Sequence, residues 1–172
     1  MAAGSQRSNA RKNPPNAALV LGIRLASRTL VRELGFLSKH LAGTDLTPSQ
    51  VHALLELERA PTTQASDLRN LFRLNKSVIS RLLADLQTRG FIRTTISRND
   101  GRQRTLILTR KGKLQLTDIH HKANRQVNAA LQAIDKREWN SVLKDLHLFA
   151  DALAKTRGRG VPNPDMRSPR IV

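Results

Sequence analysis

The chain has 172 residues, of which 39% are hydrophobic, and its 30 Lys/Arg outnumber 13 Asp/Glu to give a formal net charge of +17. That suffices for one ordinary core with loose ends and leaves no room for a second, catalytic domain. Cysteine is absent, which excludes disulfide staples, thiolate metal ligands and thiol redox sensing. Arg7, Arg11 and Lys12 are followed by no apolar core, and no window approaches about 18 uninterrupted apolar residues, so neither export nor membrane spanning is expected.

The charge is unevenly placed. Residues 69–113 hold twelve Lys/Arg against Asp85 and Asp100, whereas residues 13–68 and 114–154 together balance at ten against ten. The rest of the excess lies in the two ends, 1–12 and 155–172. Confining positive charge to one stretch and two tails suits a polyanion-binding surface, because each neutralised phosphate releases counterions.

Residues 1–15 show no periodicity, carry Pro14-Pro15 and read as a disordered basic arm. From Asn16 the pattern changes: Leu19, Ile23, Ala26, Leu30, Leu34, Leu37 and Leu41 recur every three or four residues. This predicts a long amphipathic helix ending near Gly43. Thr47-Pro48-Ser49-Gln50 has a Thr cap, Pro at the first helical position and Gln three residues after the cap, so a second helix starts there and breaks at Pro61. The Thr62-Thr63 pair offers caps for a third, short helix carrying Leu68, Leu71 and Leu74.

A fourth helix opens at Asn75-Lys76-Ser77, with Ile79, Leu82, Leu83 and Leu86 at i, i+3, i+4 and i+7, and Gly90 stops it. Two short helices joined by a tight turn make a helix-turn-helix. Lys76, Ser77, Ser80, Arg81 and Ala84 lie opposite the apolar face. Small hydroxyls there permit close approach to base edges, and Lys and Arg supply donors to phosphate or guanine. The competing reading is that Ser77 only helps to cap the helix and Arg81 only solvates it.

Phe91 to Arg98 and Gln103 to Thr109 read as paired strands around an Asn99-Asp100-Gly101 turn. Ile92, Ile96, Leu106 and Leu108 are expected to alternate inward. Arg98, Arg102 and Arg104 gather at the tip, where an anion is needed to relieve three like charges, and arginine suits a narrow minor groove. Thr109-Arg110-Lys111-Gly112 begins a long helix carrying Leu116, Ile119, Ala123, Val127, Ala130, Leu131 and Ile134. Asp135-Lys136-Arg137-Glu138 is a second capping-box pattern, and Trp139, Val142, Leu143, Leu146, Phe149, Ala150 and Leu153 line the helix behind it. The outer helices hold more apolar stripe than a winged core of roughly 70 residues can cover, which points to a two-fold dimer. Residues 155–172 read as a second disordered basic tail.

In this order and spacing, Leu46-Thr47-Pro48-Ser49-Gln50, Ser77-Val78-Ile79-Ser80-Arg81-Leu82-Leu83, Arg89-Gly90-Phe91-Ile92, Asp100-Gly101-Arg102 and Leu108-Thr109-Arg110-Lys111-Gly112 resemble the MarR family of winged helix-turn-helix transcriptional regulators. The resemblance covers about Asn16 to Leu153. It implies a mainly α fold with a β-hairpin wing, a DNA-binding lobe over about 47–112 and dimerisation helices over about 16–42 and 112–154. It further implies a homodimer on palindromic double-stranded DNA, recognition helices in successive major grooves, Arg102 in the minor groove and, in many members, a small aromatic or phenolic effector.

The chain has no Tyr, one Trp and four Phe, few candidates for an aromatic-lined pocket. His40, His52, His120, His121 and His147 are scattered without metal-ligand spacing, so no metal and no cofactor are expected. No nucleophile–base pair or glycine-rich phosphate loop argues for an enzyme. The expected function is a dimeric, sequence-specific regulator in the cytoplasm, a repressor of this type; the alternative is a sequence-indifferent, nucleoid-associated architectural protein.

Overall fold

In a computed structural model of the chain, the structure describes residues 15–61, 63–96 and 104–157. In chain order the elements are α1 (Ala17–Glu33), α2 (Pro48–Arg59), α3 (Ala65–Phe72), α4 (Lys76–Thr88), β1 (Ile92–Ile96), β2 (Arg104–Leu108), α5 (Arg110–Gln132) and α6 (Trp139–Arg157), with a 3-10 turn at Lys136–Glu138. The architecture is mainly helical with a two-stranded antiparallel hairpin. Two compact units divide the chain at His120/His121.

In the first unit, Asn16 caps α1, its Oδ1 accepting from the backbone of Ala18 at 2.7 Å and of Leu19 at 3.1 Å. The helix ends at Glu33, about ten residues before Gly43, where the apolar spacing placed its end. The reason is a Schellman turn: the N–H of Gly35 reaches the Arg32 carbonyl and that of Phe36 the Val31 carbonyl, with Gly35 at φ +81°. This takes up the last carbonyls of α1. Leu41 does not extend the stripe. Its N–H pairs with the Leu46 carbonyl at 2.9 Å and Thr44 Oγ1 donates to the Leu41 carbonyl at 2.7 Å, which folds the segment so that Leu41 and Leu46 both enter the core.

The Thr47 capping box forms as its sequence predicts: Gln50 Oε1 accepts from Thr47 N–H at 2.8 Å and Thr47 Oγ1 accepts from Gln50 N–H at 3.3 Å. For α3 the cap is Gln64, not the Thr62-Thr63 pair; Thr62 lies outside the described residues. Asp67 accepts from the Gln64 N–H at 2.8 Å. Thr63 does different work, its hydroxyl closing onto the Ala60 carbonyl and its own carbonyl accepting from Leu106 N–H at 2.9 Å. The α2–α3 linker is thereby sewn to the hairpin.

Leu54, Leu57, Leu68, Ile79, Leu86, Ile92, Leu106, Leu116 and Ile119 are among the side chains of one buried cluster, drawing on α2, α3, α4, both strands and the start of α5. The strands pair with Ile92 opposite Leu108, Thr94 opposite Leu106 and Ile96 opposite Arg104. Ile92 and Leu106 are buried as expected, but Ile96 is 63% exposed. Alternation puts Ile96 on the inward face; the hydrophobic cluster ends before the hairpin does.

The start of α5 is pinned by Thr109. Its hydroxyl donates to the Gly90 carbonyl at 2.6 Å and accepts from the Gly112 N–H at 3.1 Å. In the second unit, Trp139 Nε1 donates to the Leu131 carbonyl at 2.8 Å, closing the turn between α5 and α6. Asp135 caps the 3-10 turn through the Arg137 N–H and holds the Arg137 guanidinium at 2.7 Å, where the sequence suggested a capping box with Glu138. This hydrogen-bonded pairing lowers the Asp135 carboxyl below its usual range.

Candidate nucleic-acid interface

The geometry of α4 follows from its two ends. Asn75 Oδ1 accepts from Val78 N–H at 2.9 Å, starting the helix, and Gly90, at φ +75°, ends it through bonds from Gly90 N–H to Gln87 and from Phe91 N–H to Leu86. Between them Ile79, Leu83 and Leu86 are buried. That commitment turns Lys76, Ser77, Ser80, Arg81 and Ala84 outward, and all five are exposed.

Ser77 and Arg81 are not wholly idle. Ser77 Oγ donates to Asn75 Oδ1 at 2.8 Å, so it supports the cap, and Arg81 Nε donates to the Ser77 carbonyl at 3.3 Å. Both bonds sit on the surface, where exchange with water or a phosphate costs little. Capping and ligand contact are therefore compatible roles for Ser77.

Arg104, at the first position of β2, is exposed. Arg98 and Arg102, with the Asn99-Asp100-Gly101 turn, lie outside the described residues. The structure thus describes one outward helix face and, at the end of the paired strands away from α5, Arg104, on elements that share the same core. Arg93, Arg110 and Lys113 are also exposed and were not singled out by sequence reasoning, although all three belong to the basic stretch 69–113.

Sequence reasoning also missed the polar tie that fixes α4. Gln50 is one of two buried polar side chains among the described residues, with Thr63. While its Oε1 completes the α2 capping box, its Nε2 donates to Asp85 Oδ2 on α4 at 2.5 Å. Asp85 lies 3.7 Å from Arg89 Nη1, and Arg89 Nη2 reaches Asp45 Oδ2 at 2.6 Å. That hydrogen bond and charge from Arg89 hold the Asp45 carboxyl below its usual range. A lowered carboxyl contributes stability at neutral pH that is lost as pH falls through the folded-state value, and an exposed pair such as this contributes little. Arg89 also lies over the Phe91 ring at 5.0 Å, with Lys111 Nζ 4.9 Å from the same ring. The N-terminal cap of α2 and the C-terminal turn of α4 are held in one network.

Among the described residues no group of three or more His, Asp or Glu side chains could hold a metal ion. His120 instead meets Glu58 at 2.7 Å, and His52 stacks on Phe36 with ring centroids 5.4 Å apart. No described helix is long and apolar enough to cross a membrane.

A helix-turn-helix followed by a hairpin is matched by the MarR family model over residues 44–103. The chain is also similar to the solved structure of MarR, at 26% identity and TM-score 0.59, covering 87% of this chain and 97% of that one. Residues 44–103, which hold the helix-turn-helix and the hairpin, thus resemble the MarR family of winged helix-turn-helix transcriptional regulators. Two further structures share the MarR fold. A MarR family transcription regulator gives 21% identity and TM-score 0.64 over 83% of this chain and 95% of that one. The PcaV transcriptional regulator from Streptomyces coelicolor, in complex with its natural ligand, gives 20% identity and TM-score 0.54 over 88% and 99%. No curated protein matches the chain. In MarR terms α3 and α4 are the helix-turn-helix and β1–β2 the wing.

Proposed function

We propose that the protein is a dimeric, sequence-specific repressor acting in the cytoplasm, in which α4 reads the major groove and the wing arginines enter the minor groove. The observation that carries this reading is the outward face of Lys76, Ser77, Ser80 and Arg81 on a helix whose other face is fully committed to the core. Arg98, Arg102 and Arg104 would supply the wing contacts. Residues 47–112 then form the DNA-binding lobe, the helices on either side the dimerisation region, and the basic ends 1–15 and 155–172 add non-specific attraction for phosphate.

Dimerisation is supported by what the helices leave uncovered. No residue of α1 is buried, and Leu19, Leu21 and Leu25 on α1 and Val142, Leu146, Phe149 and Leu153 on α6 are exposed. On α6 these four fall at i, i+4, i+7 and i+11, a single apolar stripe. A second copy is the occupant that fits, because a closed two-fold interface covers equivalent stripes on both chains and supplies two reading helices for a palindrome. Leu146→Glu is expected to shift a sedimenting dimer to monomer and to abolish tight duplex binding. Wild-type protein that sediments as a monomer at micromolar concentration would sink the dimer.

A ligand-relieved repressor is supported by the ligand complex of PcaV, and the effector would be a small aromatic or phenolic compound, as the resemblance implies. The architectural alternative gives the tails the main role. It would be favoured if removal of 1–15 and 156–172 erased the preference for a palindrome over random duplex.

A further inference from the structure

Among the described residues, three helices end in a left-handed turn with a backbone bond from the residue after it to the carbonyl five positions back, and one of them departs from the chemistry of the other two. After α1, Phe36 N–H bonds back to the Val31 carbonyl; after α4, Phe91 N–H bonds back to Leu86; after α3, Leu74 N–H bonds back to Arg69. Each turn needs one residue in the left-handed region. At α1 and α4 that residue is Gly35 and Gly90, whereas at α3 it is Arg73, at φ +54° and ψ +35°. Glycine adopts this conformation without steric cost, and a side chain with a Cβ does not. Non-glycine residues held this way cluster where the side chain has a task.

Arg73 occupies the turn of the helix-turn-helix, two residues before the Asn75 cap of α4, and it is exposed. Lys76 begins the helix immediately beyond that cap. An arginine side chain reaches several ångströms past its backbone and presents five donors, the geometry that takes a phosphate through two parallel bonds. We propose that Arg73 is a DNA-backbone contact, clamping a phosphate at the N-terminal end of the reading helix, and that the left-handed turn is kept in a disfavoured conformation for that guanidinium. The inference rests on α4 being the reading helix. It adds a residue that positions the helix on the duplex without reading sequence.

The test compares Arg73→Gly, Arg73→Asn and Arg73→Lys with wild type and with Arg81→Ala, using one selected duplex across a salt series. Gly and Asn both tolerate the left-handed turn, so these two variants are expected to melt about 2 °C or more above wild type. They should nevertheless bind DNA about three- to ten-fold more weakly, with the slope of log affinity against log salt reduced by about 0.9. Arg73→Lys retains the charge and should keep most of the slope. Base preference at each position of the site should be unchanged in all three. Arg73→Gly and Arg73→Asn that bind with wild-type affinity and slope would overturn the clamp. Arg81→Ala separates the two contacts: if it binds normally while Arg73→Gly is weakened, the base contact assigned to Arg81 fails and the clamp stands, and if only Arg81→Ala is weakened, the clamp fails and the Arg81 contact stands.

Discussion

Replacing Arg81 and Arg102 together by Ala is expected to weaken binding to a selected duplex by about 100- to 1000-fold, since each arginine contact carries about 1–3 kcal/mol. The two losses should differ in kind. Arg81 lies on the outward face of α4 beside Ser77 and Ser80, so its removal should relax base preference at one position in each half-site. Arg102 belongs to the wing by sequence, and its removal should lower affinity in proportion to how narrow the minor groove is at its contact. The melting temperature should stay close to wild type. Arg81 is exposed, and its bond to the Ser77 carbonyl is a surface bond whose loss costs well under about 1 kcal/mol. Fluorescence anisotropy on labelled duplexes with matched thermal melts checks both halves. Normal binding by the double variant would remove the mechanism.

Gly112→Ala should have the opposite profile, with a large loss of stability and no direct effect on any DNA contact. A Cβ at residue 112 would be driven into the Phe91 carbonyl oxygen, with the Phe91 carbonyl carbon 3.1 Å and Leu108 Cδ2 3.3 Å away. The first of these obstacles is backbone, and it cannot swing aside as a side chain would. It also lies in the corner where Thr109 ties α5 to Gly90 and Phe91. Moving α5 away to make room would loosen Leu116 and Ile119, both buried in the core. The expected cost exceeds about 3 kcal/mol, an overpacking penalty at its upper range. In a domain of this size that lowers the melting temperature by more than about 10 °C. A melt within a few degrees of wild type would show that the α5–hairpin corner is more pliable than its close contacts imply.

What was legible in the sequence was what is local in it. The Thr47-Pro48-Gln50 box, the polar start of the fourth helix at Asn75 and the Gly90 stop each involve residues within a few positions of one another, and each forms. The pairing of β1 with β2 was legible for the same reason, because an Asp-Gly pair between two β-rich runs close in sequence leaves few registers to choose from. The end of α1 was misread because Leu34, Leu37 and Leu41 continue the three- and four-residue spacing beyond the helix. Periodicity reports which face is apolar, not whether the backbone remains helical. Leu41 is apolar for a different purpose, folding back to Leu46 to enter the core.

The unread parts of the candidate site are those that depend on distance or on an unusual backbone. Gln50 and Asp85 are 35 residues apart, and nothing in either neighbourhood announces their bond. Arg73 carries no turn signal, because the residues that mark a left-handed position in a sequence are Gly and Asn. Thr63, which its place before the third helix offers as a cap, instead gives its carbonyl to Leu106 N–H while Gln64 caps α3. In each case the side chains or backbone groups were visible and their partners were not.

The central claim is that two copies of α4, held apart by a dimer, read two inverted half-sites. Selection of bound duplexes from a random pool by the full chain tests it most directly. The expected result is an inverted repeat with half-site centres about 10 base pairs apart, or a multiple of that helical repeat, whose enrichment is lost with Arg81→Ala. Recovery of duplexes with no repeated motif, or of a single unrepeated half-site, would contradict the account.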